Sequence, residues 1–202
     1  RNFVLAVLTG IIGDSKMGNF LKSRRERKYY TIFSNMYSRI LTNETVKKTN
    51  ISNMDQIFEE IQKLSSEEEQ CSAIMMKKKM FSRFFGYIVM DEGEMNEMYR
   101  DFDTDTVVSI SRGVVDLLAE ESGCFGLFVY YDNPSVSDLI QFRLRRSTGF
   151  KKFDLRKILG MFSISNGGGH EGAIGFRFSR KSIDDLNLFV EDFIKKVEET
   201  VT

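Results

Sequence analysis

The sequence predicts an α/β protein, with a helical N-terminal part followed by a compact α/β domain built on a mixed sheet. Apolar residues recur at helical spacing up to Met80, whereas strand-like and helix-like patterns alternate beyond it. The chain has 202 residues, of which 42% are hydrophobic, enough for one large domain or two small ones. We place the boundary after residue 66, so that residues 1–66 form the helical part and residues 67–202 the α/β domain.

The N-terminal part is expected to contain a series of helices. A helix is predicted from Glu26 to Leu41 by the spacing of its apolar residues. A second helix is predicted to begin at Ser52, with Asp55 completing a capping box. The polar and β-branched segment from Asn43 to Asn50 is typical of a loop, and a third helix is predicted from Ser65 to Met80.

The second part is expected to alternate between strands and helices. Strands are predicted over four apolar or alternating runs: Phe81–Met90, Cys124–Tyr131, Leu139–Arg146 and Ala173–Ser179. Helices are predicted over Thr106–Glu121, after Asp154, and after a capping box formed by Ser182 and Asp185. A glycine-rich loop is expected to lead into the last strand.

Charge and composition exclude several classes of function. Lys and Arg together number 29, as do Asp and Glu, so no overall field attracts nucleic acid and any polyanion site must be a local patch. The two cysteines fit no metal spacing and are typical of a reducing compartment. No run reaches the roughly 20 apolar residues of a membrane span. We therefore expect a cytoplasmic protein without a membrane partner.

A glycine-rich segment that ends in a histidine is the strongest candidate for a binding site. Three consecutive glycines stand directly before the single histidine of the chain: Gly167, Gly168, Gly169 and then His170. A glycine run lets backbone N–H groups converge on a phosphate or carboxylate, and the imidazole adds a side-chain donor. The alternative is a tight turn before a strand, which the histidine merely caps.

A second candidate lies on the predicted strand Leu139–Arg146. Arg143 and Arg145 are two residues apart, so both side chains point to one face of the strand, while Arg146 points to the other. Two guanidinium groups on one face can bind phosphate oxygens in forked pairs, for which lysine lacks the geometry. The alternative is a solvated edge strand whose charges discourage aggregation.

These motifs, in this order, resemble those of a known family. The run Phe142-Arg143-Leu144-Arg145-Arg146-Ser147, a short helix and then the pattern Gly-Gly-Gly-His-x-x-Ala-x-Gly resemble the DHHA1 domain of the DHH phosphoesterases. Near the N-terminus, Gly10-Ile11-Ile12-Gly13-Asp14-Ser15 resembles the last metal-binding motif of the family's catalytic DHH domain. On this resemblance, residues 1–66 correspond to the end of the DHH domain and a helical connector, and residues 67–202 to the DHHA1 domain.

The resemblance implies a metal-dependent phosphoesterase. In such enzymes two divalent ions, usually Mn²⁺ (or Mg²⁺), activate a water in the DHH domain, while the DHHA1 domain holds the substrate. It implies that Asp14 is a metal ligand, that Arg145 contacts phosphate or nucleotide directly, and that Arg143 supports this contact. Ser147 would add a hydroxyl group, and the three glycines and His170 would complete the substrate site. No catalytic residue is assigned within this chain.

The sequence also departs from the family, because the Asp-His-His triplet and the earlier aspartate and histidine motifs are missing from it. One aspartate cannot assemble a two-metal site, so the chain alone is expected to be inactive. It enters an apolar stretch directly after Arg1, as expected for the C-terminal part of a longer phosphoesterase. Its first partner would then be the missing N-terminal catalytic domain, and its substrates would be short oligonucleotides or small nucleotides.

Two alternative functions stay open at this point. A related domain occurs in alanyl-tRNA synthetases and associated editing proteins, where it acts in tRNA binding, and would make this chain a non-catalytic nucleic-acid-binding module. The other alternative is a degenerate regulatory protein that binds a nucleotide without a metal site. The sequence leaves the oligomeric state open, with a homodimer as one option.

Overall fold

The computed structural model describes residues 2–15, 17–18, 21, 23–42 and 53–201. The chain divides into two compact units, Arg1–Leu64 and Ser65–Thr202, and each unit has its own hydrophobic core. The predicted loop from Asn43 to Asn50 and the predicted helix cap Ser52 lie outside the described residues.

The first unit is helical in its described part. Its helices are α1 (Asn2–Ser15), α2 (Arg24–Thr42) and α3 (Met54–Gln62). Their apolar faces meet in a core of buried side chains: Val4, Leu8, Ile12, Tyr37 and Ile57. Helix α3 follows Asn53, whose side chain accepts a hydrogen bond from the N–H group of Gln56 at 2.8 Å. The capping residue is therefore Asn53, and the prediction of Ser52 was wrong by one position.

The second unit contains a six-stranded mixed sheet. Its strands are β1 (Met80–Phe81), β2 (Phe85–Met90), β3 (Phe125–Tyr131), β4 (Leu139–Arg146), β5 (Gly167–His170) and β6 (Ala173–Ser179). Their spatial order is β1-β2-β3-β4-β6-β5, with β2 and β3 parallel and every other pair antiparallel. The predicted α/β class with a mixed sheet is thus confirmed.

Helices cover both faces of this sheet and form two cores. They are α4 (Ser66–Met76), α5 (Glu92–Asp101), α6 (Thr104–Ser122), α7 (Arg156–Met161) and α8 (Leu186–Val201). One core joins α4, α5 and α6 to β2 and β3, and the other joins α7 and α8 to the opposite face of the sheet. No helix in the described part of the chain is both long and apolar enough to cross a membrane.

Helix α6 lies directly on the backbone of β2 and β3 because two strand residues there have no side chain. A Cβ atom at Gly86 would come within 2.7 Å of the carbonyl oxygen of Leu118. One at Gly126 would overlap the carbonyl oxygen of Val115. Such distances are impossible for real side chains, so these glycines allow the close approach of the helix to the sheet.

The structure corrects several predicted elements. The predicted strand Phe81–Met90 is a hairpin of β1 and β2, and α5 was not predicted. The predicted helix Ser65–Met80 ends at Met76. Ser182 lies in a 3₁₀ turn and does not cap α8. The cap of that helix is Asp185, whose side chain accepts from the N–H group of Leu188 at 3.0 Å.

The three glycines form the strand β5, where the sequence predicted a loop. This strand pairs antiparallel with β6, with Gly168 opposite Gly175 and His170 opposite Ala173. In an antiparallel strand, successive N–H groups point in alternate directions within the plane of the sheet. The expected cradle of converging backbone amides is therefore not the conformation of this segment.

Candidate functional site

The register of the sheet places the predicted arginines, one glycine and the histidine on a single face. Arg143 lies opposite Gly175, which lies opposite Gly168; Arg145 lies opposite Ala173, which lies opposite His170. Residues directly opposite each other in antiparallel strands share a face of the sheet. Adjacent strands lie about 4.8 Å apart, so each row spans about 10 Å. We call this surface the arginine–glycine face.

The centre of the arginine–glycine face is bare backbone. A Cβ atom at Gly168 would meet no atom of the described residues within 4 Å, and one at Gly175 would meet only the carbonyl oxygen of Phe142, at 3.7 Å. Helix α6 packs on the same face of the sheet, but over the strands β2 and β3. The result is a shallow floor with arginines on one side and an imidazole on the other.

The three consecutive glycines are subject to different structural constraints. A Cβ at Gly167 would come within 2.8 Å of Phe176, on the opposite, core-facing side. Gly169 has a φ of +142°, which disfavours any other residue. Nothing in the described packing requires a glycine at position 168, so its structural effect is to keep the floor open.

The guanidinium group of Arg143 is held by Tyr130, a buried residue of β3. Its Nε and Nη2 atoms donate hydrogen bonds to the Tyr130 hydroxyl at 3.1 and 2.9 Å. Its Cζ atom also lies 5.6 Å from the centre of the Tyr130 ring. Because the tyrosine is fully buried, it holds the arginine in place from the core side through a hydroxyl oxygen.

Arg145 is instead paired with a carboxylate of helix α6. Its Nε atom lies 3.2 Å from Oδ1 of Asp116, and its Nη1 donates to the carbonyl oxygen of Leu144 at 3.1 Å. Burial lowers the pKa of the Arg145 guanidinium below its ordinary value. The positive charges of Arg143 and Arg112 lower this pKa further, whereas Asp116 raises it. The group remains charged, because arginine does not deprotonate in proteins.

Ser147 and Arg146 are engaged within the fold. The Ser147 side chain is buried, and its hydroxyl oxygen lies 3.3 Å from Oε2 of Glu120 in α6. Arg146 faces away from the other two arginines, as predicted, and donates from Nη1 to the carbonyl oxygen of Phe153 at 2.6 Å. Both residues therefore contribute to the structure at the end of β4.

His170 is exposed at the end of β5. Its Nδ1 atom accepts a hydrogen bond from the N–H group of Gly172 at 3.3 Å. In a neutral imidazole with an accepting Nδ1, the proton is on Nε2. The side chain thus keeps a donor for a ligand on the arginine–glycine face.

Asp14 lies in the first unit, exposed in the last turn of α1. The metal expected there needs several carboxylate or imidazole ligands. In the described residues, no group of three or more His, Cys, Asp or Glu side chains could hold a metal ion. These residues therefore do not fit a complete metal centre, and Asp14 can contribute one ligand at most.

Sequence reasoning missed three polar residues of this region. Arg177 lies two residues beyond Gly175 on β6, opposite Gln141, so its place on the arginine–glycine face follows from strand alternation alone. Tyr130 and Asp116 were missed for another reason. Their contacts with the arginines depend on how β3 and α6 dock against β4, which no local sequence pattern specifies.

Comparison with known proteins establishes the fold. No protein-family model matches the sequence, and no curated protein matches it. Among solved structures, an exopolyphosphatase-related protein from Bacteroides fragilis matches 97% of this chain with a TM-score of 0.63 and 19% sequence identity. The match covers 49% of that structure, so the chain spans about half its length. The likeness shows that the two share an α/β fold.

A second solved structure is more distant. It is a pGpG-specific phosphodiesterase, PggH, from Vibrio cholerae, with a TM-score of 0.44 and 12% identity. The match covers 98% of this chain and 58% of the phosphodiesterase.

Proposed function

We propose that this chain is the substrate-binding part of a phosphoesterase that acts on short oligonucleotides or small nucleotides. The observation that carries the proposal is the arginine–glycine face, where Arg143, Arg145 and His170 surround a floor of bare backbone. The resemblance to the DHHA1 domain of the DHH phosphoesterases supports the assignment. So does the name of the matched structure, an exopolyphosphatase-related protein.

The groups on this face suit a phosphate ester. Guanidinium groups donate charge-assisted hydrogen bonds to phosphate oxygens, and the imidazole of His170 adds another donor. The open floor at Gly168 and Gly175 lets the ligand approach the backbone closely. In this proposal the two arginines bind the phosphate, His170 orients it, and the glycines leave room for it.

The size of the charged patch favours a small ligand. The chain as a whole carries equal numbers of basic and acidic residues, whereas a long single strand is normally bound along a basic groove with stacking aromatic residues. We therefore favour mononucleotides, dinucleotides and very short oligonucleotides over long single-stranded DNA.

The proposal assigns binding to this chain and hydrolysis to the complete protein. The hydrolytic site would lie in a preceding catalytic domain with Mn²⁺ (or Mg²⁺), to which Asp14 would contribute one ligand. A carboxylate in the last turn of a helix lies near the negative end of the helix dipole, so a bound cation would stabilise it there. No step of binding on the arginine–glycine face depends on that metal.

The binding part of the proposal is tested by titrating the chain with 5′-AMP and with the dinucleotide pApA, using amide NMR shifts as the measurement. Replacing Arg143 or Arg145 by alanine should weaken binding by about 1–3 kcal/mol, as expected for a lost charge-assisted hydrogen bond. His170→Ala should have a smaller effect in the same direction. Arg100→Gln is the control, because Arg100 is exposed on α5 and contacts its neighbour Asp101.

Two results would contradict the proposal. Unchanged affinity in both arginine variants would remove the arginine–glycine face from the binding site. Binding of tRNA without any response to 5′-AMP or pApA would favour the non-catalytic nucleic-acid-binding module.

The division between binding and hydrolysis has its own test. The purified chain incubated with Mn²⁺ and pApA should release no mononucleotide, because its described residues hold no metal cluster. Hydrolysis that persists through repurification and disappears in an Asp14→Asn variant would show that the chain is itself catalytic.

A further inference from the structure

Helix α6 runs alongside β4 in the same direction. Asp116 contacts Arg145, and one helical turn later the Oε2 atom of Glu120 lies 3.3 Å from the hydroxyl oxygen of Ser147, two residues beyond Arg145. Helix α6 and strand β4 therefore run side by side, with one helical turn alongside two strand residues. A helical turn of four residues rises about 6 Å, and two strand residues rise about 6.7 Å.

This alignment places Arg112 level with Arg143. Arg112 precedes Asp116 by four residues on α6, so both side chains lie on the same face of the helix. Arg143 precedes Arg145 by two residues on β4, on the same face of the strand. The exposed Arg112 side chain thus borders the arginine–glycine face at the end where Arg143 lies.

The border of the arginine–glycine face along α6 differs in charge between its two ends, near Arg145 and near Arg143. At one end, the carboxylate of Asp116 compensates Arg145. At the other end, the hydrogen-bond partner of Arg143 is the neutral hydroxyl of Tyr130. The alignment of α6 with β4 brings Arg112 to that end as a second positive charge. Arg112 also lies near enough to Arg145 to lower, with Arg143, the pKa of that group. Two adjacent guanidinium groups repel each other, and an anion between them relieves the repulsion.

The space for an anion lies at the same end. Gly175 lies opposite Arg143, and Gly168 lies opposite Gly175 on the next strand. Neither residue has a side chain that would cover the backbone there. Arg145 is followed by Ala173 and His170, whose side chains occupy their row. Among the described residues, Nη1 of Arg143 has no hydrogen-bond partner, so it is available to a ligand.

We propose that Arg112 is a third ligand-binding arginine and that the primary phosphate contact lies between Arg112 and Arg143, over Gly175. Arg145, which is held by Asp116, adds a secondary contact with the ligand from the neighbouring row of Arg145, Ala173 and His170. This inference rests on the proposed function, because it locates the phosphate within the arginine–glycine face. It reverses the roles that the family resemblance implies for Arg143 and Arg145.

The test is a titration with 5′-AMP of the wild-type chain and of matched variants at one salt concentration. Arg112→Gln should weaken binding about tenfold or more, as expected for a lost charge-assisted contact, and Arg112→Lys should recover part of that loss. Arg143→Gln should weaken binding more than Arg145→Gln does. Arg100→Gln should bind as the wild type does.

The outcomes separate this inference from the proposed function. If Arg112→Gln binds 5′-AMP as tightly as the wild type while Arg143→Gln does not, the inference is overturned and the proposed function stands. A larger loss in Arg145→Gln than in Arg143→Gln overturns the location of the primary contact. If the wild-type chain does not bind 5′-AMP or pApA, both proposals are overturned. Circular dichroism of each variant verifies that it is folded.

Discussion

At the level of single residues, the Tyr130 hydroxyl connects the hydrophobic core with the arginine–glycine face. The ring is buried with Phe128 in the core under α5 and α6, and the oxygen accepts two hydrogen bonds from Arg143. A long arginine side chain loses considerable rotamer entropy when a ligand immobilises it. In the proposed function, the tyrosine would remove part of that cost, because it already holds the guanidinium in place without a ligand.

Tyr130→Phe should therefore weaken 5′-AMP binding about three- to tenfold, the equivalent of one net hydrogen bond. The measurement is the same NMR titration used for the arginine variants. Tyr87→Phe is a matched control, since Tyr87 of β2 packs against the core on the opposite face of the sheet. Equal affinities of Tyr130→Phe and the wild type would show that the tyrosine does not position Arg143.

Gly168→Val tests whether the open floor matters for binding. A valine at this exposed strand position should leave the free energy of unfolding unchanged or raise it, because β-branched residues favour strands. It should nevertheless weaken 5′-AMP binding about tenfold, or 1.4 kcal/mol, because its side chain would project over the space beside Arg143. Urea unfolding and the titration together check this; undiminished binding would place the phosphate elsewhere.

A second glycine variant tests the contact of α6 with the sheet. Gly126→Ala should destabilise the protein by about 1–3 kcal/mol, since its methyl group would overlap the backbone of α6. Gly113→Ala is the control on the same helix, because a Cβ there would meet no described atom within 4 Å. That variant should stabilise the protein by about 0.5–1 kcal/mol. Urea denaturation measures both, and equal stabilities would contradict the described packing.

At the level of secondary-structure elements, α5 is a short helix specified largely by its N-terminus. The Asp91 side chain accepts from the N–H group of Glu94 at 2.8 Å, and the Glu94 side chain accepts from that of Asp91 at 3.0 Å. This reciprocal pair is a complete capping box. The helix buries only two methionines, Met95 and Met98, so its cap contributes much of its local stability.

Asp91→Ala should accordingly destabilise the second unit by about 1 kcal/mol, within the range of about 0.5–2 kcal/mol measured for lost N-caps. Glu97→Ala is the control, because Glu97 is exposed in the middle of the same helix. The measurement is the midpoint of urea unfolding. A shift in the control as large as that of Asp91→Ala would assign the effect to helix propensity.

The elements also show which parts of the fold the sequence could predict. Strand β4 was predicted with its observed limits, Leu139–Arg146, because alternating burial leaves a pattern of period two. Helix α5 was missed because two buried methionines give too weak a periodicity, although the spacing of Asp91 and Glu94 was a readable signal. The strand β5 was predicted as a loop since glycine disfavours strands, and its pairing with β6 overrides that preference.

The candidate site could be predicted only in part for the same reason. Arg143 and Arg145 were placed on one face by alternation within a single strand. Their relation to His170 depends on the pairing of β4 with β6 and of β6 with β5. The contact of Arg145 with Asp116 depends on the docking of α6. Non-local contacts of this kind leave no periodic pattern along the chain.

At the level of the whole molecule, the two units have separate cores and separate expected roles. The second unit, Ser65–Thr202, contains the whole sheet, both of its hydrophobic cores and the complete arginine–glycine face. The first unit contains Asp14 and a smaller helical core. Phosphate binding should therefore require the second unit alone.

Residues 65–202 expressed by themselves should fold and bind 5′-AMP with the affinity of the whole chain. A unit of this size with two cores can bury enough apolar surface for independent stability. Thermal unfolding followed by circular dichroism should be a single cooperative transition, and the titration should give an unchanged dissociation constant. A non-cooperative transition, or a large loss of affinity, would show that the helices of the first unit are needed.

The contact of α6 with Gly86 and Gly126 has a consequence for how such a protein can diversify. A helix that lies directly on strand backbone has little freedom to slide, so its outward positions keep a constant alignment with β4. Substitutions at Arg112, Asp116 and Glu120 can then alter the charge beside the sheet without moving the scaffold. If the proposed ligand site is correct, its charge could be varied along α6 while the sheet and its glycines are preserved.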